Sequence, residues 1–74
     1  MDQETLNKTL AAHHIWLESA GQDGQRADLS GADLRFLDLS GVRLREAILR
    51  GADLVGTNLT DADLEAADLE GATL

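Results

Sequence analysis

The sequence contains no cysteine and no proline. Without cysteine it can build neither a disulfide framework nor a thiolate metal site. That absence fits a reducing cytoplasm, the expected location. Aromatic residues are nearly missing: Trp16 and Phe36 stand alone, and there is no tyrosine. Basic residues are scarce, six against fourteen acids, for a net charge of −8. A chain this acidic is not expected to bind nucleic acid by neutralising phosphates. It suits basic partner surfaces or plain solubility. Apolar runs are only a few residues long, far short of a membrane span. Met1 is followed by acidic and polar residues, so no signal peptide is expected. With 74 residues the chain is one small domain, whose core is marginal without some staple.

What is present divides into two parts, 1–25 and 26–74. Residues 3–19 read as one amphipathic helix. Leu6, Leu10, His13 and Leu17 follow the i, i+4, i+7, i+11 spacing of a single apolar stripe. Asp2 is the expected N-cap, and Glu4 suits the positive end of the helix dipole. Gly21 is the expected C′ residue, able to take positive φ. Residues 21–25, Gly-Gln-Asp-Gly-Gln, then form a short turn. Ile15 lies opposite the stripe.

From Ala27 onward the rule changes to a period of five. Leucine occupies Leu29, Leu34, Leu39, Leu44, Leu49, Leu54, Leu59, Leu64, Leu69 and Leu74 without a miss. Two residues earlier stands a small or apolar residue, or threonine. One residue earlier stands mostly Asp or Asn; Arg43, Ile48 and Thr73 depart from this. Two residues later glycine is frequent. A period of five would smear leucine around a helix and send it to alternate faces of a strand. A chain that turns a corner every five residues keeps every leucine inward. The reading is a square-sectioned solenoid, one side per unit.

Four sides make twenty residues per coil, so residue i lies over i+20. That offset sets Arg43 over Asp63, Arg45 over Glu65 and Arg50 over Glu70, all opposite charges. Asp33 over Asp53 is the counterexample, tolerable if both carboxylates accept backbone N–H groups at their turns. Phe36 and Val55 fall on one side of the square as a small outward apolar pair, with Phe36 also able to pack under the helix.

The units Ala-Asp-Leu-Ser-Gly, Ala-Asp-Leu-Arg-Phe and Ala-Ala-Asp-Leu-Glu-Gly resemble the pentapeptide repeat family, whose motif is A(D/N)LXX. The resemblance runs from Ala27 to Leu74. It implies a right-handed quadrilateral β-helix, here about 2.5 coils, with the leucines stacked as a core ladder. The segment from Leu10 to Arg26 is similar to a leader found before such repeats, with His13, Trp16, Leu17, Gly21, Gly24 and Arg26 on matching positions. The implied cap of the first coil is the N-terminal helix, through Leu10, His13, Trp16 and Leu17.

No catalytic constellation emerges. His13 and His14 diverge by about a hundred degrees on a helix and cannot share a metal in the i, i+4 manner. Glu18, four residues after His14, makes a pair without a third ligand. The aspartates and hydroxyls recur with the repeat, and no histidine follows to activate them. The glycines sit at corners rather than in a phosphate-binding fingerprint. No catalytic residue, metal or cofactor is expected.

Functionally the reading is a non-enzymatic structural or protein-interaction module. The last coil has no cap within the sequence, so Leu69, Ala72 and Leu74 join Phe36 and Val55 as interface candidates. Three readings are open: the chain stops inside a longer solenoid, its last coil frays, or it associates end to end. Self-association is the adopted expectation, most simply as a two-fold homodimer. The resemblance adds an alternative. Some longer members are acidic rods that mimic duplex DNA and occupy the DNA site of type II topoisomerases. A solenoid about 12 Å tall spans only some four base pairs, so this chain matches that role in charge but not in length.

Overall fold

The computed structural model describes all 74 residues. One helix, α1, runs over Gln3–Glu18. The Asp2 side chain caps it by accepting from the Thr5 N–H at 2.8 Å. At the other end Ser19 is the C-cap, and Ala20 rather than Gly21 takes the C′ position, with φ of 53°. Two bonds close the end: Ala20 N–H to Leu17 C=O at 3.3 Å, and Gly21 N–H to Trp16 C=O at 2.8 Å. That pair is the Schellman pattern. Placing Gly21 at C′ is therefore corrected by one residue. Gly21 is C″, also at positive φ, and alanine bears the left-handed strain.

Beyond the turn no continuous strand forms. Six isolated parallel bridges link residues twenty apart: Asp28 with Ile48, Asp33 with Asp53, Asp38 with Asn58, Arg43 with Asp63, Ile48 with Asp68, and Asp53 with Thr73. Each bridged residue is the one before a leucine. A turn follows every leucine from Leu29 to Leu69, closed by a bond back to the leucine carbonyl, as from Ala32 to Leu29 at 3.1 Å. The residue two after each of these leucines has positive φ while the one between does not, the signature of a type II turn. Glycine supplies that conformation at Gly31, Gly41, Gly51, Gly56 and Gly71. Phe36, Glu46, Asp61 and Ala66 adopt it with a side chain. A bulky residue there is a true outlier.

The near-constant Asp or Asn before the leucine has a local cause. Its side chain accepts the backbone N–H two residues on, from Asp28 to Ser30 at 3.1 Å through Asp68 to Glu70 at 3.1 Å. This Asx bond offers the chain a turn in place of a longer strand. It also settles Asp33 over Asp53: each carboxylate accepts an N–H at its own turn, and Arg35 lies 2.9 Å from Asp33 and 3.7 Å from Asp53.

The core is the leucine ladder with the small residues beside it. Leu29, Leu34, Leu39, Leu44, Leu49 and Leu54 are buried, together with Ala27, Ala47 and Ala52. Leu6 from α1 completes this cluster. Leu59, Leu64 and Leu69 are half-buried. Leu74, the tenth ladder position and an expected core residue, is instead 80% exposed, with no layer of residues 1–74 over it.

Candidate interaction surfaces

Backbone bonding between coils has a direction, and that direction defines two unlike ends. The leucine N–H groups from Leu29 to Leu54 donate forward, as from Leu29 to Ile48 C=O at 2.7 Å. Each pre-leucine N–H donates backward, as from Ile48 to Ala27 C=O at 3.0 Å. The first coil therefore leaves pre-leucine N–H and C=O groups facing α1. The last coil leaves leucine N–H groups, the N–H groups two residues after them and the carbonyls two residues before them. Buried backbone groups need partners, so each end must be answered differently.

At the first end α1 answers. The Gln3 side chain imitates a neighbouring strand, donating Nε2 to Asp38 C=O at 3.1 Å and accepting from Asp38 N–H at 2.9 Å. The Met1 ammonium donates to Asp33 C=O at 3.2 Å. His13 is fully buried. Its Nδ1 accepts from Ala27 N–H at 3.0 Å, and its Nε2 lies 2.9 Å from Arg45 C=O. An accepting Nδ1 assigns the proton to Nε2, which then donates to the carbonyl. The ring stacks on Trp16 at a centroid distance of 5.5 Å. Arg26 lies over the Trp16 ring at 5.8 Å, a cation–π distance, while its Nε donates to Glu46 C=O at 2.6 Å. Leu10, Trp16 and Leu17 are half-buried around this centre. Ile15 stays half exposed.

The charged side chains follow the twenty-residue offset only in part. Arg45 reaches Glu65 at 3.0 Å, and also Asp63 at 2.6 Å. Arg50 bonds Asp68 and approaches Glu70 at 4.0 Å. Arg43 does not pair with Asp63 as the offset suggests. Its guanidinium turns to Glu18 of α1 at 2.7 Å and ties the cap to the coil. Glu18 thereby has a better partner than His14, which is 4.0 Å away. The Arg35 guanidinium beside Asp33 holds that carboxyl down to about 2. Hydrogen bonds from Arg45 and Arg50 lower Asp63 and Asp68, and the Ser30 and Ser40 hydroxyls lower Asp28 and Asp38. Those two hydroxyls and that of Thr60 each donate to the Asx side chain two residues before, at 2.6–2.7 Å. They are spent on turn geometry.

Phe36 does not pack under α1. It is 76% exposed and its ring lies against the next coil at Gly56, where an added Cβ would come within 2.3 Å of a ring atom. Val55 beside it is 39% exposed.

At the second end no group of residues 1–74 answers. The leucine N–H groups from Leu29 to Leu54 all donate to a following coil; those of Leu59, Leu64 and Leu69 find no acceptor in the protein. Ala72 is half-buried beside Leu69 and the exposed Leu74.

A helix-capped repeat solenoid, with coils joined at a fixed twenty-residue offset, is the class these features define. The chain belongs to the pentapeptide repeat family: the family model for pentapeptide repeats matches residues 38–74 in eight copies. The same turns and bridges extend ahead of that match, to Asp28. No curated protein and no solved structure matches the chain. No helix is long and apolar enough to cross a membrane.

Proposed function

We propose that this protein is a non-enzymatic, cytoplasmic interaction module that associates with itself through its last coil. The repeat region forms a right-handed quadrilateral β-helix of about 2.5 coils. Its α1 end is closed and its other end is adhesive. The observation that carries this reading is the contrast between the two ends. One set of coil-end groups is met by Met1, Gln3 and His13. The other, at Leu59, Leu64 and Leu69, has no partner within residues 1–74, beside a leucine that is 80% exposed.

Unpaired backbone next to apolar side chains is the template on which another chain adds. A second copy is the simplest occupant, and a two-fold arrangement closes the assembly at a dimer. The non-enzymatic reading is supported by how the polar groups are used: the acids and hydroxyls close turns or pair with arginine. Analytical ultracentrifugation over a wide concentration range tests the proposal. A dimer that dissociates on dilution is expected; a monomer at the highest concentration overturns it.

A further inference from the structure

Asp23 and Gly24 form the only Asp-Gly step in the sequence. They lie in the turn between α1 and the first coil, and both are exposed. The turn holds Asp23 by its backbone alone. Its N–H donates to Ser19 Oγ at 2.9 Å, and its C=O accepts from the same hydroxyl at 3.1 Å. Its carboxylate has no partner in the protein. The Gly24 N–H donates to no protein group either, whereas the next N–H, of Gln25, goes to Ala12 C=O at 3.1 Å.

The other aspartates are placed differently. Asp28, Asp33, Asp38 and Asp53 each accept the N–H two residues on, and the leucine N–H that follows each is committed to the next coil. Arginine holds the carboxylates of Asp63 and Asp68. Asp2 caps α1. Asp61 is followed by Ala62, whose N–H closes a turn on Leu59 C=O. Asp23 alone joins an unpartnered carboxyl to an unpartnered following N–H, on a residue with no side chain to crowd the approach.

We propose that Asp23–Gly24 is a site of spontaneous covalent modification, closing to a succinimide and reopening to an isoaspartyl linkage that loosens the α1 cap. The Gly24 nitrogen attacks Asp23 Cγ and forms a new C–N bond. The nitrogen's proton and the carboxyl's hydroxyl leave together as water. Water then adds to one of the two ring carbonyls. Opening at Cγ restores aspartate. Opening at the main-chain carbonyl carbon breaks the original peptide C–N bond, frees the α-carboxylate and routes the chain through Cβ and Cγ. Water is the only other reactant, and nothing is oxidised or reduced. The isoaspartyl chain is one methylene longer between Asp23 Cα and Gly24 N. Gly24 has no room to absorb it: a Cβ there would lie 2.4 Å from Ala12 C=O and 2.6 Å from Trp16 N. The carbonyl that accepts from Ser19 is also the one converted to a free carboxylate. The added length therefore pushes the turn off α1 and strains the bond from Gln25 to Ala12. None of this depends on self-association.

The test ages the folded chain at neutral pH in heavy-oxygen water, returns it to ordinary water and cleaves it with trypsin. Cleavage after Lys8 and Arg26 yields segment 9–26, whose only aspartate is Asp23; cleavage after Arg35 and Arg43 yields segments carrying Asp28, Asp33 and Asp38. Ageing continues until synthetic segment 9–26, which has no fold to protect it, is labelled. In the folded chain, segment 9–26 is expected to gain one heavy oxygen and a second, isoaspartyl chromatographic form, and the repeat segments are not. Asp23→Glu, which cannot close the same ring, is expected to lose both signals. Absence of label from segment 9–26 of the folded chain overturns the proposal, as does equal labelling of the repeat segments. The isoaspartyl chain, separated and refolded, is expected to melt below the unaged chain when followed at Trp16. Equal melting overturns the effect on the cap.

Discussion

His13 accepts the N–H of Ala27 at 3.0 Å, so a helix side chain starts the first coil where a preceding strand would otherwise be needed. The same ring meets Arg45 C=O at 2.9 Å and is fully buried. Replacing His13 by Ala leaves a cavity and two orphaned backbone groups. The expected loss is about 2–4 kcal/mol, measured by urea denaturation followed at Trp16. His13→Phe restores the volume but not the bonds, and is expected to retain about 1–3 kcal/mol of that loss.

Gly24 and Gly31 both have positive φ, 72° and 67°, yet substitution at them should differ sharply. A Cβ on Gly24 would lie 2.4 Å from Ala12 C=O and 2.6 Å from Trp16 N, both helix backbone. At Gly31 nothing lies within 4 Å. Gly31→Ala should cost about 1 kcal/mol of conformational strain alone. Gly24→Ala must move the helix and should cost clearly more, about 2–4 kcal/mol, with a shift in Trp16 fluorescence. Equal melting temperatures for the two variants would contradict this.

Phe36 and Gly56 form a second coupled pair. Gly56→Ala adds strain at φ 71° and displaces the exposed Phe36 ring. Its expected cost is about 1–2 kcal/mol. Phe36→Gly relaxes a left-handed phenylalanine, so its loss of ring contact is offset. In a thermal-melt cycle the double variant should be more stable than the sum of the singles, because the ring that meets the new methyl is gone.

Acid should unfold this protein in a defined window. Asp33 lies at about 2 against an ordinary 3.8, and Asp28, Asp38, Asp63 and Asp68 are also lowered by their hydrogen bonds. A carboxyl lowered on folding stabilises fully above its unfolded value and loses that contribution as pH falls through its folded one. Stability is therefore expected to be level from neutrality to about pH 4 and to fall between about pH 4 and 2. Asp33→Asn should flatten part of this fall in acid titrations followed by circular dichroism.

Much of the fold was legible in the residues themselves. The leucine period implied inward units, and counting four units to a coil placed Arg45 over Glu65, a pair found at 3.0 Å. Of the stripe Leu6, Leu10, His13 and Leu17, the structure buries Leu6 and His13 and half-buries Leu10 and Leu17. What counting missed was choice among close alternatives. Arg43 had Asp63 at the repeat offset but took Glu18 on α1. Gln3 and Met1 carried no pattern that marked them as backbone partners of Asp38 and Asp33. Ala20, not Gly21, bore the left-handed turn.

The division has a physical reason. Each five-residue unit carries its own turn, closed by a leucine carbonyl and in most units by an Asx side chain as well, so period, stacking offset and ladder follow from local rules repeated along the chain. By itself the sequence determined these, and with them the family. Only the tertiary structure decided where long, exposed side chains go and how each coil end is met. Those outcomes depend on which of several groups at similar distance the packed helix brings within reach, as His13 shows when it turns one nitrogen to Ala27 and the other to Arg45.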